Sequence, residues 1–246
     1  MDFNMERWYA SVGQRFSMRK YGGNPPKEDL DSLRETAAML SVRNLRIAIG
    51  VGEYVFSSQF LGVGKVHGTK CFAAFLSKNA DPYSVGYLGE AFILECTALG
   101  LGTCWLGASF SRGGVGKAIK IESGERIVCI TPIGQPGEPL TTRPRKSLQR
   151  LTGLSKEELT DLPEWQQRAL ECARRAPSAV NGQPWEFEVD QDSITIVNTG
   201  PNFGYGKVDC GIAMLHLELG AAHAGVAGKY QIDGDRAKFS PVAFGR

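Results

Sequence analysis

Ala176-Pro177-Ser178-Ala179-Val180-Asn181-Gly182-Gln183-Pro184-Trp185 is the stretch on which the reading of the chain turns. Upstream of it, Asp161 and Pro163 offer the start of a helix that runs through Trp165, Ala169, Cys172 and Ala173 to Ala176, where Pro177 stops it. Downstream, Trp185 to Val189 alternates apolar and polar residues. Ser193 to Val197 follows across Asp190-Gln191-Asp192, so the two runs read as a hairpin. The ten residues therefore join a helix end directly to a strand. Few packing needs call for that order of turn, amide and aromatic residues, which marks the segment as a candidate for ligand contact.

Outward from this stretch, Ser155-x-x-Glu158 forms a capping box. Near the other end of the chain, Leu30, Leu33, Ala37 and Leu40 recur at helical spacing after Asn24-Pro25-Pro26. Glu28 and Asp29 fall in the first turn, where the helix dipole favours anions, so the spacing predicts a helix over 27–40. Lys70 to Leu76 and Arg126 to Ile133 read as short buried strands. Strands and helices mix without regular βαβ alternation, which predicts an α+β class. Gly86 and Gly100 bracket an apolar Gly/Ala-rich helix, and Gly211 and Gly225 bracket another at the same spacing. The offset, 211 less 86, is 125 residues, about half the chain. Small residues let helices approach closely, so the two could form a central seam; two unrelated buried helices would share the same composition.

Composition narrows the function classes. At 246 residues, 42% hydrophobic and 22% charged, the chain can bury a core without disulfide or metal staples, as one large domain or two small ones. A net charge of +2 gives no global attraction to nucleic acid or anionic lipid. The six cysteines include no CxxC pair and read as free thiols in a reducing compartment, which predicts a cytoplasmic protein. Met1 to Met18 shows no apolar signal-peptide core. Gly86 to Gly107 is interrupted by Glu90 and Glu95, so it reads as a buried helix and not a membrane span.

Several motif fragments are set aside. Gly50-x-Gly52 and Gly62-x-Gly64 do not complete a dinucleotide fingerprint and read as turns. Gly116-Lys117 lacks the P-loop glycine, Ser standing at 111, and Ala118 replaces the metal-binding hydroxyl. His67, His216 and His223 have no metal-ligand spacing, and Ser109 lacks a nucleophile elbow, so no metal and no hydrolase is expected. Two basic segments remain. Arg15-Phe16-Ser17-Met18-Arg19 puts two guanidinium groups and a hydroxyl on one face if extended, and Arg143-Pro144-Arg145-Lys146 follows a buried strand. Either could chelate a phosphate through charge-assisted bonds, and either taken alone reads first as a solvated loop.

Together these segments resemble the nitroreductase family of FMN enzymes. The resemblance is carried by Pro177-Ser178-x-x-Asn181-x-Gln183-Pro184-Trp185, by Arg15, Ser17 and Arg19 followed by Tyr21, by Leu99-Gly100-Leu101-Gly102-Thr103-Cys104-Trp105-Leu106-Gly107, and by Arg143 with Arg145. Ordinary members are homodimers with a flavin at each subunit interface, and PSxxN follows RxSxR after one helix. Here the helix after RxSxR ends at Leu40-Ser41-Val42-Arg43-Asn44, and PSxxN appears only in the second half. The chain is therefore similar to a fused, duplicated nitroreductase: a nitroreductase-like fold with a first half over 1–150 and a second over 151–246, packed as one unit. The expectation is a monomer acting as an intrachain pseudo-dimer, with one FMN per chain.

The resemblance implies the site residues. Arg15, Phe16 and Ser17 would lie at the phosphate and ribityl chain, with Arg143 and Arg145 closing on the phosphate. Arg19 would lie toward the pyrimidine edge, where a cation stabilises the charge of the reduced ring. Pro177, Ser178, Ala179 and Asn181 would come from the other half to the ring edge, and an amide near Leu106 and Gly107 would face N5. Trp105 and Phe110 are candidates for covering the ring. No side chain is catalytic, since the flavin carries the chemistry. The implied activity is an NAD(P)H-dependent nitroreductase, a flavin oxidoreductase passing hydride to a nitroaromatic, quinone or similar small molecule, with NAD(P)H as transient donor. An FMN-binding carrier or sensor without efficient turnover is the alternative.

Overall fold

The computed structural model describes residues 4–56 and 65–242. Gly62-x-Gly64 lies outside the described residues. In chain order the elements are α1 (Met5–Val12), β1 (Tyr21–Gly23), α2 (Lys27–Leu40), β2 (Leu45–Val51), β3 (Cys71–Ser77), α3 (Pro82–Ala98), β4 (Gly102–Thr103), α4 (Arg112–Ala118) and β5 (Arg126–Pro136). They continue as α5 (Leu148–Thr152), α6 (Lys156–Asp161), α7 (Glu164–Arg174), β6 (Trp185–Asp190), β7 (Ser193–Asn198), α8 (Gly206–His223), β8 (Gly228–Asp233) and β9 (Arg236–Pro241). The chain divides into two compact units. Unit A comprises Met1–Gly13, Pro82–Glu90 and Arg143–Arg246; unit B comprises Gln14–Asp81 and Ala91–Thr142.

In unit B a sheet of order β1-β5-β3-β2, with β4 on β5, is antiparallel throughout. All seven residues of β3 are buried, which explains its unbroken apolar run. The predicted helix over 27–40 forms with those bounds and buries Leu33, Ala37 and Leu40. Gly50 was predicted in a turn but lies within β2, paired with Phe72 of β3; the glycine serves close packing there, since a Cβ would come within 2.7 Å of both Phe72 and Ile119. Phe75 meets Phe92 edge-on at 6.3 Å and stacks on Trp105 at 4.8 Å. Phe110 is buried in this core, so it does not stand free to cover a ring.

Unit A packs α7 and α1 against α8 and carries a second antiparallel sheet of order β6-β7-β9-β8. The expected hairpin forms, pairing Trp185 with Asn198 through Asp190 with Ser193. The Ser155/Glu158 capping box is present. Helix α7 stops at Arg174, two residues before the expected Ala176, since the Arg175 and Ala176 amides turn to the Cys172 and Ala173 carbonyls in a tighter last turn.

Gly86 and Gly211 do not open their helices as predicted; each lies one turn inside, in α3 and α8. A Cβ on Gly86 would run into the Val208 carbonyl, and one on Gly211 into the Tyr83 carbonyl. The contact is reciprocal at the 125-residue offset, since 208 less 83 equals 211 less 86. Gly100 and Gly225 follow the two helix ends with φ of 76° and 77°, the left-handed closing residue in both cases. The order helix, strand, strand, helix occurs twice along the chain, as α2-β2-β3-α3 and α7-β6-β7-α8, and each run is followed by a later strand, β5 after β4 and α4 in the first case and β9 after β8 in the second. That later strand pairs antiparallel with the second strand of its run each time.

Among the described residues no helix is long and apolar enough to cross a membrane, and no His/Cys/Asp/Glu group could hold a metal ion. All six cysteines are buried free thiols.

Candidate functional site

The sequence-predicted residues fall into two clusters, one in each unit. In unit B the Arg15–Arg19 segment is fixed through its backbone and turns tightly at Ser17, where the Met18 amide donates to the Phe16 carbonyl at 3.0 Å. The Met18 amide donates to the Thr103 carbonyl at 2.9 Å, and Ser17 pairs in parallel with Thr103. His67 braces the other end: its amide donates to the Arg19 carbonyl and its carbonyl accepts from the Tyr21 amide, both at 2.9 Å. Glu138 Oε1 accepts from the Arg19 amide at 2.7 Å and the Lys20 amide at 3.2 Å. The Arg19 N–H above all holds the Glu138 carboxyl below the usual carboxylate range, against a smaller opposing effect of burial.

Met18 is buried against Gly102, while Arg15, Ser17 and Arg19 are only partly buried; Phe16 packs against the core. Arg19 Nε is buried and has no hydrogen-bond partner among the described residues. A buried guanidinium donor without an acceptor costs about 1–3 kcal/mol, so this position calls for an acceptor that the described chain does not supply. Beside the segment lies a cavity of about 280 Å³ bordered by Arg15, Phe16, Met18, Thr103, Pro136 and Glu138. Leu106 is buried and exchanges two backbone bonds with Ile130, at 2.9 and 3.0 Å, which fixes the backbone entering Gly107.

In unit A the basic loop and the Pro177–Trp185 stretch meet. Arg145 Nη1 donates to Asn181 Oδ1 at 2.6 Å and Nη2 to the Arg175 carbonyl at 3.3 Å. Asn181 Nδ2 donates to the Pro144 carbonyl at 3.0 Å. Lys146 donates through its amide to Gln183 Oε1 at 2.8 Å and through Nζ to the Gln183 carbonyl at 2.7 Å. The guanidinium of Arg145 is thus held in place, so less rotamer freedom remains to be lost on binding an anion. Arg143 is exposed, and its own carbonyl receives Arg145 Nη1 at 3.5 Å.

The turn itself is conformationally unusual. Val180, Asn181 and Gln183 have φ of 48°, 58° and 49°, in the left-handed region that side chains avoid, a β-branched one most of all. Pro177 is buried; Ser178 Oγ accepts from the Gln183 amide at 2.9 Å, and the Ala179 amide donates to Asp209 Oδ1 at 3.0 Å. Val180 points into solvent, 73% exposed, so packing does not account for its strained backbone. Sequence reasoning missed His67, Glu138, Asn202 and Asp209 as supports. Only Asp209 left a signal, as an acid in the first turn of a mostly apolar helix.

With this geometry in hand, comparison with known proteins settles the family. The family model described as "Putative TM nitroreductase" matches residues 8–221. The chain belongs to that family. Among solved structures it is similar to one described as a putative nitroreductase, from Thermotoga maritima, at 21% identity and a TM-score of 0.68. That match covers 95% of this chain and 93% of the other, and it shows the mixed helix-and-sheet nitroreductase-like fold over almost the whole length. The chain is also similar to an FMN-dependent nitroreductase from Clostridium difficile R20291, at 18% identity and a TM-score of 0.44, covering 55% of this chain and 90% of the other. A third is a putative NADH dehydrogenase/NAD(P)H nitroreductase from Parabacteroides distasonis, at 18% identity and a TM-score of 0.47, covering 58% and 95%. No curated protein matches the chain.

Proposed function

We propose that the chain is an FMN-dependent oxidoreductase that takes hydride from NAD(P)H and passes it to a nitroaromatic, quinone or similar small acceptor. The observation that carries the reading is the Arg19 guanidinium, whose buried Nε lacks an acceptor among the described residues, on a segment anchored through its backbone to Thr103, His67 and Glu138. Family membership supports it. FMN needs cations for its phosphate and rigid backbone for its ring, and each unit offers residues of that kind: unit B has Arg15, Ser17 and Arg19 with the amides near Leu106 and Gly107, and unit A has Arg143 and Arg145 with the turn at Pro177, Ser178, Ala179 and Asn181. Bound FMN would accept and deliver hydride, while these residues bind and orient it.

On this reading 1–150 and 151–246 are the halves of a duplicated nitroreductase, working as a cytoplasmic monomer with one FMN. The repeated helix and strand order and the reciprocal glycine contacts support the duplication. The test is the visible spectrum of the purified protein, with flavin counted per chain, followed by steady-state NADH and NADPH oxidation with menadione or nitrofurazone. A yellow protein with one flavin and ping-pong turnover is expected. A protein that takes up no FMN on reconstitution rejects the reading, and a yellow protein inert to both donors makes the chain a flavin carrier.

Arg145→Ala is expected to weaken FMN binding about tenfold or more, a loss of about 1.4 kcal/mol from one charge-assisted contact. An unchanged dissociation constant, measured by quenching of flavin fluorescence, would remove Arg145 from the site.

A further inference from the structure

We propose that Asp209 is a proton-linked positioning residue, a buried carboxylate that ties two strained turns together and sets how firmly the 177–183 turn is held for the flavin. The inference rests on the FMN reading above and adds its regulation by pH.

Asp209 lies in the first turn of α8 and is 3% exposed. Oδ1 accepts from the Ala179 amide, and Oδ2 accepts from Asn202 Nδ2, which also donates to the Ala179 carbonyl at 3.0 Å. Both peptide groups of Ala179 are therefore held by this pair of side chains. The turn so held contains Val180, Asn181 and Gln183 at positive φ. The loop that supplies Asn202 is strained in the same way, with φ of 39° at Asn202 and 59° at Phe203. Left-handed non-glycine residues persist only where surrounding bonds over-determine them. Gly182 leaves room for Asn202, whose Oδ1 would lie 2.6 Å from any Cβ there.

Both partners of Asp209 are donors, so the ionised carboxylate is the form that best satisfies them; burial works against ionisation. Burial is the larger effect and pushes the Asp209 carboxyl up to about 7, against the opposing hydrogen bonds from Asn202 and the Ala179 amide. Of the groups around it, the loop before α8 contributes the neutral Asn202 and the turn contributes the Ala179 amide. On α8 itself Cys210 follows it, and Lys207, two residues before, is paired with Asp235 at 3.3 Å. Because the folded value lies above the ordinary 3.8, this group favours the fold most below that value, and the contribution is lost as pH rises through about 7. The hold on Ala179 runs the opposite way, strengthening as the carboxylate forms.

The experiment is FMN affinity against pH, from 5.5 to 8.5, for the wild type, Asp209→Asn and Asn202→Ala. Alongside it, the Ala179 amide resonance is followed in the flavin-free protein. The wild-type affinity should rise with pH, and the Ala179 amide should titrate with a midpoint near 7. Asp209→Asn puts a second donor against Asn202. It should bind FMN about tenfold more weakly at pH 8, on the scale of one bond to a charged group, and lose the Ala179 titration. Asn202→Ala, which removes one bond to the ionised form, should move the midpoint upward while leaving the chain folded. The phosphate of FMN titrates near 6 on its own, so the difference between wild type and Asp209→Asn is the readout. A wild type that binds FMN, with an Asp209→Asn variant matching its affinity and pH profile, overturns the inference alone. A wild type that takes no FMN at any pH overturns the function and this inference with it.

Discussion

Replacing His216 with alanine is expected to lower the unfolding free energy by about 3–5 kcal/mol, read from urea denaturation followed by tryptophan fluorescence. Glu90 and His216 are both fully buried in unit A, with Nε2 3.0 Å from Glu90 Oε1 and Nδ1 3.3 Å from the Cys172 carbonyl. The ring thus bridges a buried carboxyl and a buried carbonyl, which gives polar groups a partner among apolar neighbours. Alanine takes away the ring that Glu90 meets and leaves a cavity as well. The companion Glu90→Leu/His216→Leu variant should lose less than His216→Ala, because it removes both polar groups and refills the space. A single variant as stable as the wild type would show that the pair carries no such weight.

The second large effect is at the helix crossing. Gly211→Ala should cost about 3 kcal/mol or more, because the added methyl meets backbone at Tyr83 and not the far end of a side chain that could swing away. Gly86→Ala meets the Val208 carbonyl and should cost a similar amount. Since either substitution must force α3 and α8 apart, the double variant should lose clearly less than the two single losses added, a coupling measurable as a double-mutant cycle. Independent losses would mean the two glycines do not share one contact.

Local rules made much of this legible. The helix over 27–40, the hairpin from Trp185, the Ser155 cap and the glycines at 100 and 225 that close two helices each follow from a few neighbouring residues, and each forms. The candidate segments were legible as residue types at fixed spacing: two arginines flanking a serine, an arginine pair, and a turn rich in amides. Their supports were not. Glu138 lies more than a hundred residues from the Arg19 amide it accepts, and His67 contributes backbone, which no side-chain pattern advertises. Asn202 and Asp209 act on Ala179 across a loop and a helix start. Val180 defeats propensity outright, because a β-branched residue in the left-handed region forms only under long-range constraint. Glu90 read as an interruption of an apolar helix, and only its proximity to His216 gives the interruption a purpose.

The two units are not consecutive pieces of chain, and this bears on synthesis. Helix α1 packs on α8, with Tyr9 stacked on His223 at 3.9 Å and Glu6 bonded to the same ring at 3.1 Å. As the chain leaves the ribosome N-terminus first, α1 emerges with its buried Trp8 and Val12 face uncovered, and its docking site arrives only after some two hundred further residues have been translated. On the ribosome α1 must therefore wait for α8, and a helix made early in this stretch of chain is among the last of its elements to find shelter.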